Sequence, residues 1–467
     1  MRHDAIIIGS GLGGLEVALM LAKAGKRVLV LEKQRQAGGC MQSFRRGTLH
    51  LDTGLHYVGG LGEGESLRIA FESLGLMQLP WQRMDEACFE EIIFPSGKFC
   101  WCQGIDAFIH QMKSYFPHED NGLEQYRNLL LSNDEEFMQK TNAWDYLHSI
   151  FTDELLIQVL SAPATCKMEL RKESLPLFTF VHGIAPFIES SWRLKGDGNL
   201  IVNRLVSQIT DNGGEVLTGK EVVELIEEDG RVVRAVCADS TEYEASVFVS
   251  DTHPVLTTHL LRQSRQMKGI FRRRMEAQDN TAGIFTLQLK LKPRSLKYFN
   301  HNKLVFAHDN CWNMAVGESH TVEGIMISSR IPSSGEYVDN IDILTPMTWD
   351  AVMPWQESKI GHRHKAYKQM KQEVAQACMR LASTAIPNLE DIIQKEWSST
   401  PLTYRDYNGT PCGSAFGFRK DYTSPLTTIV SPRTPVPNLY MTGQSLMLHG
   451  LQGVTMTAGF TIRAIQD

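Results

Sequence analysis

The chain lacks most of what would mark it as a metal-bound, disulfide-framed, fibrous or membrane-spanning protein. Its nine cysteines among 467 residues stand at Cys40, Cys88, Cys100, Cys102, Cys166, Cys237, Cys311, Cys378 and Cys412, without the paired two-residue spacings of a zinc site. No metal is therefore expected, and an odd, scattered count suits a reducing compartment. No apolar run approaches the roughly 18 uninterrupted residues of a spanning helix. Ahead of the first apolar run at Ala5 there is none of the charged, apolar and cleavage regions of a secretory leader. The expectation is a cytoplasmic protein, peripheral to a membrane if it touches one at all. A net charge of -6 with 21% charged residues carries no basic excess of the kind nucleic acid demands. The 42% hydrophobic content excludes disorder, and the length suits two or three cores or one large split one.

What is present begins at the amino end. Ala5-Ile6-Ile7-Ile8 is a continuous apolar run that stops at glycine, the pattern of a parallel strand buried on both faces. Gly9-Ser10-Gly11-Leu12-Gly13-Gly14 follows: Gly9 allows the tight turn, Gly11 lets backbone approach a pyrophosphate, and Gly14 lets a helix pack on the strand. Leu15, Ala18, Leu19 and Ala22 recur at helical spacing, and Gly25 with Lys26 and Arg27 supplies the stop. The amino end of that helix is a natural anion site. A second apolar strand, Val28-Leu29-Val30-Leu31, ends on Glu32, about twenty residues on, where a carboxylate can accept ribose hydroxyls and disfavours a 2'-phosphate. Strand, turn, helix, strand and acid in that order predict a dinucleotide site.

A second glycine pair, Ala37-Gly38-Gly39-Cys40-Met41, follows the acid. From Ala5 to Met41 the sequence resembles the extended FAD fingerprint of the glutathione-reductase-like superfamily, in which this pair lines the ribityl and phosphate region. Gly214-Glu215-Val216 with Val222 resembles the strand that meets adenine. Asn438 to Gln444 reads as a strand running into a glycine turn, and Gly450-Leu451-Gln452-Gly453-Val454 as the start of a helix whose positive end faces reduced flavin. The resemblance thus implies noncovalent FAD held by Gly9, Ser10, Gly11, Leu12, Gly13, Gly14, Glu32, Lys33, Gly38, Gly39, Cys40, Met41, Val222, Gly443, Gln444, Gln452, Gly453 and Val454. No second complete fingerprint occurs, so NAD(P)H would serve only as an external reductant.

Asp52-Thr53-Gly54-Leu55-His56-Tyr57-Val58-Gly59 is similar to the segment that follows the fingerprint in the carotenoid and retinoid flavoproteins: phytoene desaturases, carotenoid isomerases and especially retinol saturases. Further anchors are Trp192 to Asn199, Val247 to Pro254, Thr400 to Thr403 and Gly413 to Gly417. This resemblance implies an α/β fold, a Rossmann FAD core from residues 1–75, 187–257 and 400–467 with an inserted α+β substrate domain from 76–186 and 258–399. It implies saturation of a double bond in a hydrophobic polyene or isoprenoid lipid, with desaturation or redox-neutral isomerisation as alternatives. A non-catalytic escort module for prenylated partners and an amine oxidase share the fold and remain open.

His56 is the first candidate for proton donor or positioning group, since imidazole titrates near neutrality. Tyr57 and His449 follow, Arg405 and Tyr407 could hold a polar head group, and Cys40 and Cys412 are weak redox candidates. Cys100-Trp101-Cys102 lacks the spacing of a thioredoxin-like motif and reads as structural. Thr286 to Leu291 alternates as a half-buried strand. Tyr367, Met370, Val374, Cys378 and Leu381 share a helical face, packed against the protein or, less commonly, laid on a membrane.

Overall fold

The structure, a computed structural model, describes residues 2–47 and 49–467. Its first sheet starts from the two apolar runs. Val28–Glu32 is buried along its length and pairs in parallel with His3–Ile8, Ala5 opposite Val28. Parallel strands without alternation need cover on both faces; the helices Leu12–Lys23 and Asn199–Asp211 pack on one, and Leu225, Val232 and Ala235 help to cover the other. Glu215–Thr218 extends the sheet beyond Val28–Glu32, Glu242–Ser250 flanks His3–Ile8, and Leu439–Met441 pairs with Glu242–Ser250 in parallel. An antiparallel excursion, Val222–Glu228 and Arg231–Cys237, leads into Glu242–Ser250. The carboxyl ends of the parallel strands therefore share one edge, where open α/β sheets bind ligands.

A second seven-stranded sheet runs Ile393–Ser399, Gly283–Leu291, Asn340–Met347, Gly324–Ser329, Asn302–Phe306, Glu90–Phe94 and Gly97–Trp101. Its strands come from two distant stretches of chain, joined in parallel where Asn302 lies opposite Glu90. The fold is thus α/β, a Rossmann core carrying an α+β portion. Gly283–Leu291 departs from the half-buried expectation. It lies between Asn340–Met347 and Ile393–Ser399, and every residue but Lys290 is buried. Alternation in the sequence marked chemistry here, not exposure: Thr286 and Gln288 are buried polar residues of an interior strand.

Helix Lys365–Ala385 packs its apolar face, Tyr367, Met370, Val374 and Cys378, into the core beneath this sheet, so that face is not free for a membrane. Among the described residues no helix is long and apolar enough to cross one. Cys88 and Cys100, unpaired in the sequence reading, form a disulfide because the hairpin of Glu90–Phe94 and Gly97–Trp101 brings their Cα atoms to 5.1 Å. Cys102 beside them is a buried free thiol.

Candidate functional site

A cavity of about 520 Å³ opens along the carboxyl edge of the parallel sheet. At one end its wall includes three glycine segments. Gly9 has φ 95°, a conformation glycine adopts without cost. A Cβ on Gly14 would lie 2.6 Å from the Gly9 carbonyl oxygen, and one on Gly39 would lie 3.1 Å from the Gly11 Cα. Gly13 and Gly443 stand back to back: a Cβ on Gly13 would come within 3.2 Å of the Gly443 backbone. The amino-terminal loop, the second glycine pair and the carboxyl-terminal turn are therefore one backbone-lined cradle at a helix amino end, the arrangement that a diphosphate fits. Gly38 has φ 122°, and its N–H donates to the Ser10 carbonyl at 3.0 Å.

Glu32 ends its strand with its side chain in the cavity wall. One carboxylate oxygen accepts from the Ser10 N–H at 2.9 Å and its hydroxyl at 2.6 Å, and the other accepts from the Gln34 N–H at 2.8 Å. Lys220, Glu221, Val222 and Val223 form the wall beyond it. Helix Pro401–Asn408 closes over the second glycine pair, its terminal Asn408 reaching Cys40 Sγ at 3.1 Å. Lys33 and Met41 line the same stretch.

The other end is built from side chains: Ile284, Leu344, Tyr404, Phe416, Cys166 and His56. His56 Nδ1 is 3.6 Å from Asp342, whose partner Arg330 also pairs with Asp52. The His56 Nε2 is buried and unpartnered. Burial, reinforced by the Arg330 charge, pushes the imidazole down to about 4. The expectation that His56 titrates near neutrality is thus corrected: at neutral pH it is an uncharged ring and can position, not act as a cationic acid. Burial pushes the Cys166 thiol up to about 12 and the Tyr404 phenol well above its usual range, so both keep their protons.

Several expected residues lie elsewhere. Tyr57 turns away from the cavity and donates to Glu90, which also pairs with the buried Lys167 at 3.2 Å. His449 donates from Nε2 to the Lys167 carbonyl at 2.6 Å. Gln452 donates to the Ser66 hydroxyl at 2.9 Å and Gly453 packs on Leu448, leaving Gly450, Leu451 and Val454 of their helix in the wall. Gly443 and Gln444 line the cavity. Arg405 is held by Asp406 and the Gln356 carbonyl outside it, whereas Tyr407 reaches its rim. Cys412 is exposed on a left-handed turn.

Asp251 was missed by the sequence reading. It ends the Glu242–Ser250 strand, and its carboxyl is wedged between Gly11, Gly13 and Gly443. Burial pushes it up to about 7 against the pull of the glycine N–H groups. Its place directly after an apolar parallel strand was the available signal. Asp342 and Arg330 had none, being joined to His56 only by the fold.

A family model described as an NAD(P)-binding Rossmann-like domain matches residues 7–74. The chain is similar to an all-trans-retinol 13,14-reductase from Danio rerio, 22% identical over 99% of this chain and 85% of that one. It is likewise 22% identical to prolycopene isomerase 2, chloroplastic, from an Oncidium hybrid cultivar, over 95% of this chain and 80% of the relative. In structure it resembles an oxidoreductase from Methanosarcina mazei, with a TM-score of 0.68 at 16% identity, covering 98% of this chain and 100% of the other. The resemblance to carotenoid and retinoid enzymes thus extends through nearly the whole chain.

Proposed function

We propose that this chain is a noncovalent FAD-dependent oxidoreductase that saturates a carbon–carbon double bond of a polyene or isoprenoid-type lipid. The observation that carries this reading is the continuity of one cavity from the glycine cradle and Glu32 to an apolar end lined by Ile284, Leu344 and Phe416. When bound, FAD supplies the two-electron chemistry. The glycine N–H groups would hold its diphosphate, Glu32 its ribose, and Gly38 to Met41 with Gly443 and Gln444 the stretch toward the ring.

At the far end the protein's task is position and dryness. Ile284, Leu344 and Phe416 would grip an apolar chain and exclude water. His56 would stand in the wall beside that chain as a neutral ring, held by Asp342 and Arg330. Cys166 and Tyr404 hold protons at Sγ and Oη beside it. The isomerase relative favours a second reading, in which the same grip turns a double bond without net redox change.

Anaerobically reduced protein mixed with all-trans-retinol and a small carotenoid panel separates the two. Reoxidation of the flavin with a two-hydrogen gain in product mass is expected. Unchanged mass with altered retention would replace saturation by isomerisation, and purified protein that is colourless and unable to take up FAD would sink both.

A further inference from the structure

With the apolar face of Lys365–Ala385 packed inside, the exposed apolar side chains gather attention elsewhere. Ile270, 71% exposed, and Leu426, 86% exposed, are the most exposed large hydrophobic residues described. They belong to neighbouring segments, since Arg274 Nη2 donates to the Leu426 carbonyl at 2.7 Å. Ile270 sits in the first turn of helix Gly269–Glu276, and Leu426 sits in the turn Pro425–Thr428.

Both tips are held outward. The buried Lys420 ammonium donates to the Thr428, Ser445 and Leu446 carbonyls at 2.7, 2.8 and 3.1 Å, anchoring the turn. The Arg272 guanidinium caps the carbonyls of Thr258 and Leu261, anchoring the helix.

The segment that carries Ile270 is charged with one sign through residue 274. Residues 262–274 contain Arg262, Arg265, Lys268, Arg272, Arg273 and Arg274 and no acid, on a chain whose net charge is -6. Among the described residues none of these six side chains pairs with a carboxylate. The acids beside this face are engaged otherwise: Glu276 with His259 at 3.0 Å, Glu227 with the Ser264 hydroxyl and the Arg265 N–H, and Asp421 with the Thr423 N–H and hydroxyl at 2.8 Å. Aliphatic tips ringed by unpaired cations match the boundary between acyl chains and anionic headgroups. Nucleic acid would want exposed aromatic faces for stacking, and the aromatic of this segment, Phe271, is half-buried.

We propose that the face formed by residues 262–274 and 424–428 docks the protein on an anionic lipid bilayer, Ile270 and Leu426 entering the acyl boundary and Arg265, Lys268 and Arg273 meeting the headgroups. Arg262 belongs both to this face and to the cavity wall, so the docked surface adjoins the site. The inference stands apart from the reaction proposed above, because vesicle binding is read without turnover.

The test is sedimentation of flavin-loaded protein with phosphatidylcholine vesicles, with and without a minority of phosphatidylglycerol. Binding to the anionic vesicles, fading as salt rises, is expected. Arg265→Gln with Lys268→Gln should weaken it roughly ten- to thirty-fold, from about fivefold per cation. Ile270→Glu with Leu426→Glu should abolish it while the visible flavin spectrum and thermal unfolding stay unchanged. No sedimentation with anionic vesicles, or equal sedimentation of both double variants and the parent, overturns the proposal. So does tight retention on an acidic polymer by a protein that leaves the vesicles unbound.

Discussion

The two ends of the cavity are made of different materials. The nucleotide end is shaped by backbone at Gly9, Gly11, Gly13, Gly39 and Gly443, with Gly14 and Gly38 packed behind the wall and the Glu32 side chain in it. The far end is side chain, with Cys166, Ile284, Leu344, Tyr404 and Phe416 arriving from distant parts of the chain. A diphosphate requires N–H groups at fixed spacing, so its site is local in sequence and intolerant of a single Cβ. An apolar ligand requires only shape and dryness, which many residues can supply from anywhere. The ends also carry opposite titrations: a carboxyl raised to about 7 at Asp251 and an imidazole lowered to about 4 at His56.

The harshest way to break the contrast is a Cβ in the cradle. Gly14→Val places carbon 2.6 Å from the Gly9 carbonyl and 2.9 Å from the Asp251 Cβ, so the helix must shift against the loop it carries. Complete loss of flavin is expected, read from the absorbance of purified protein. An equal change of volume at the far end, Leu344→Ala, should leave flavin content intact and alter only turnover of the lipid. Normal flavin in the glycine variant would overturn the assignment of the cradle.

The opposite titrations sharpen the contrast next. The Asp251 carboxyl holds its proton to about 7 in the folded chain, against 3.8 for the ordinary group. Its contribution is therefore fully present below 3.8 and lost as pH rises through about 7. His56 is ordinary at 6.5 and near 4 when folded; its contribution is present above 6.5 and lost as pH falls through about 4. The two windows overlap and their slopes oppose, each about 1.4 kcal/mol per pH unit per group. Denaturant melts between pH 4 and 6.5 should show Asp251→Asn turning the slope of stability against pH upward, while the similarly raised Glu16 keeps its own downward share. His56→Gln should turn that slope downward, leaving the share of His253 and His449, which burial also pushes down to about 4. Unaltered slopes in both variants would remove this account.

How much of this could be read in the sequence follows the same division. The strand, glycine turn, helix and acid from Ala5 to Glu32 are local, and the structure places Glu32 with Gly9, Gly11 and Gly13 in one wall, while Gly14 packs against Gly9 and Asp251 outside it. The cluster behind His56 could not be read. Asp52, Arg330 and Asp342 are joined only when the strands Gly324–Ser329 and Asn340–Met347 pair, Ser328 opposite Asp342. The placing of Tyr57 was equally illegible: His56 sits at a bend, and beyond it Tyr57 reaches Glu90 instead of the cavity wall.

A smaller effect is expected at Glu32. Its carboxylate would meet ribose hydroxyls, but it also fastens Ser10 and Gln34. Glu32→Ala loses both services without placing any atom in the cradle. Flavin affinity should fall roughly ten- to a hundred-fold, in line with the loss of a few charge-assisted hydrogen bonds, and added FAD should restore the spectrum. Titration of the apoprotein by fluorescence quenching measures it. A loss that no FAD concentration repairs would make Glu32 a scaffold residue, and unchanged affinity would remove it from the site.

The smallest effect belongs to Cys40, although it lies within the cradle. A thiol beside a flavin can attack it only as thiolate. Burial, with the Asp251 charge nearby, pushes this thiol up to about 11, and Asn408 already occupies Sγ at 3.1 Å. The backbone of Gly39 and Met41 shapes the wall whether or not sulfur stands between them. Cys40→Ala should therefore keep its flavin, and acid precipitation should release all of the flavin from parent and variant alike. Flavin that stays with the precipitated parent but leaves the variant would show a covalent bond at Cys40, making one side chain as decisive at the nucleotide end as the backbone around it.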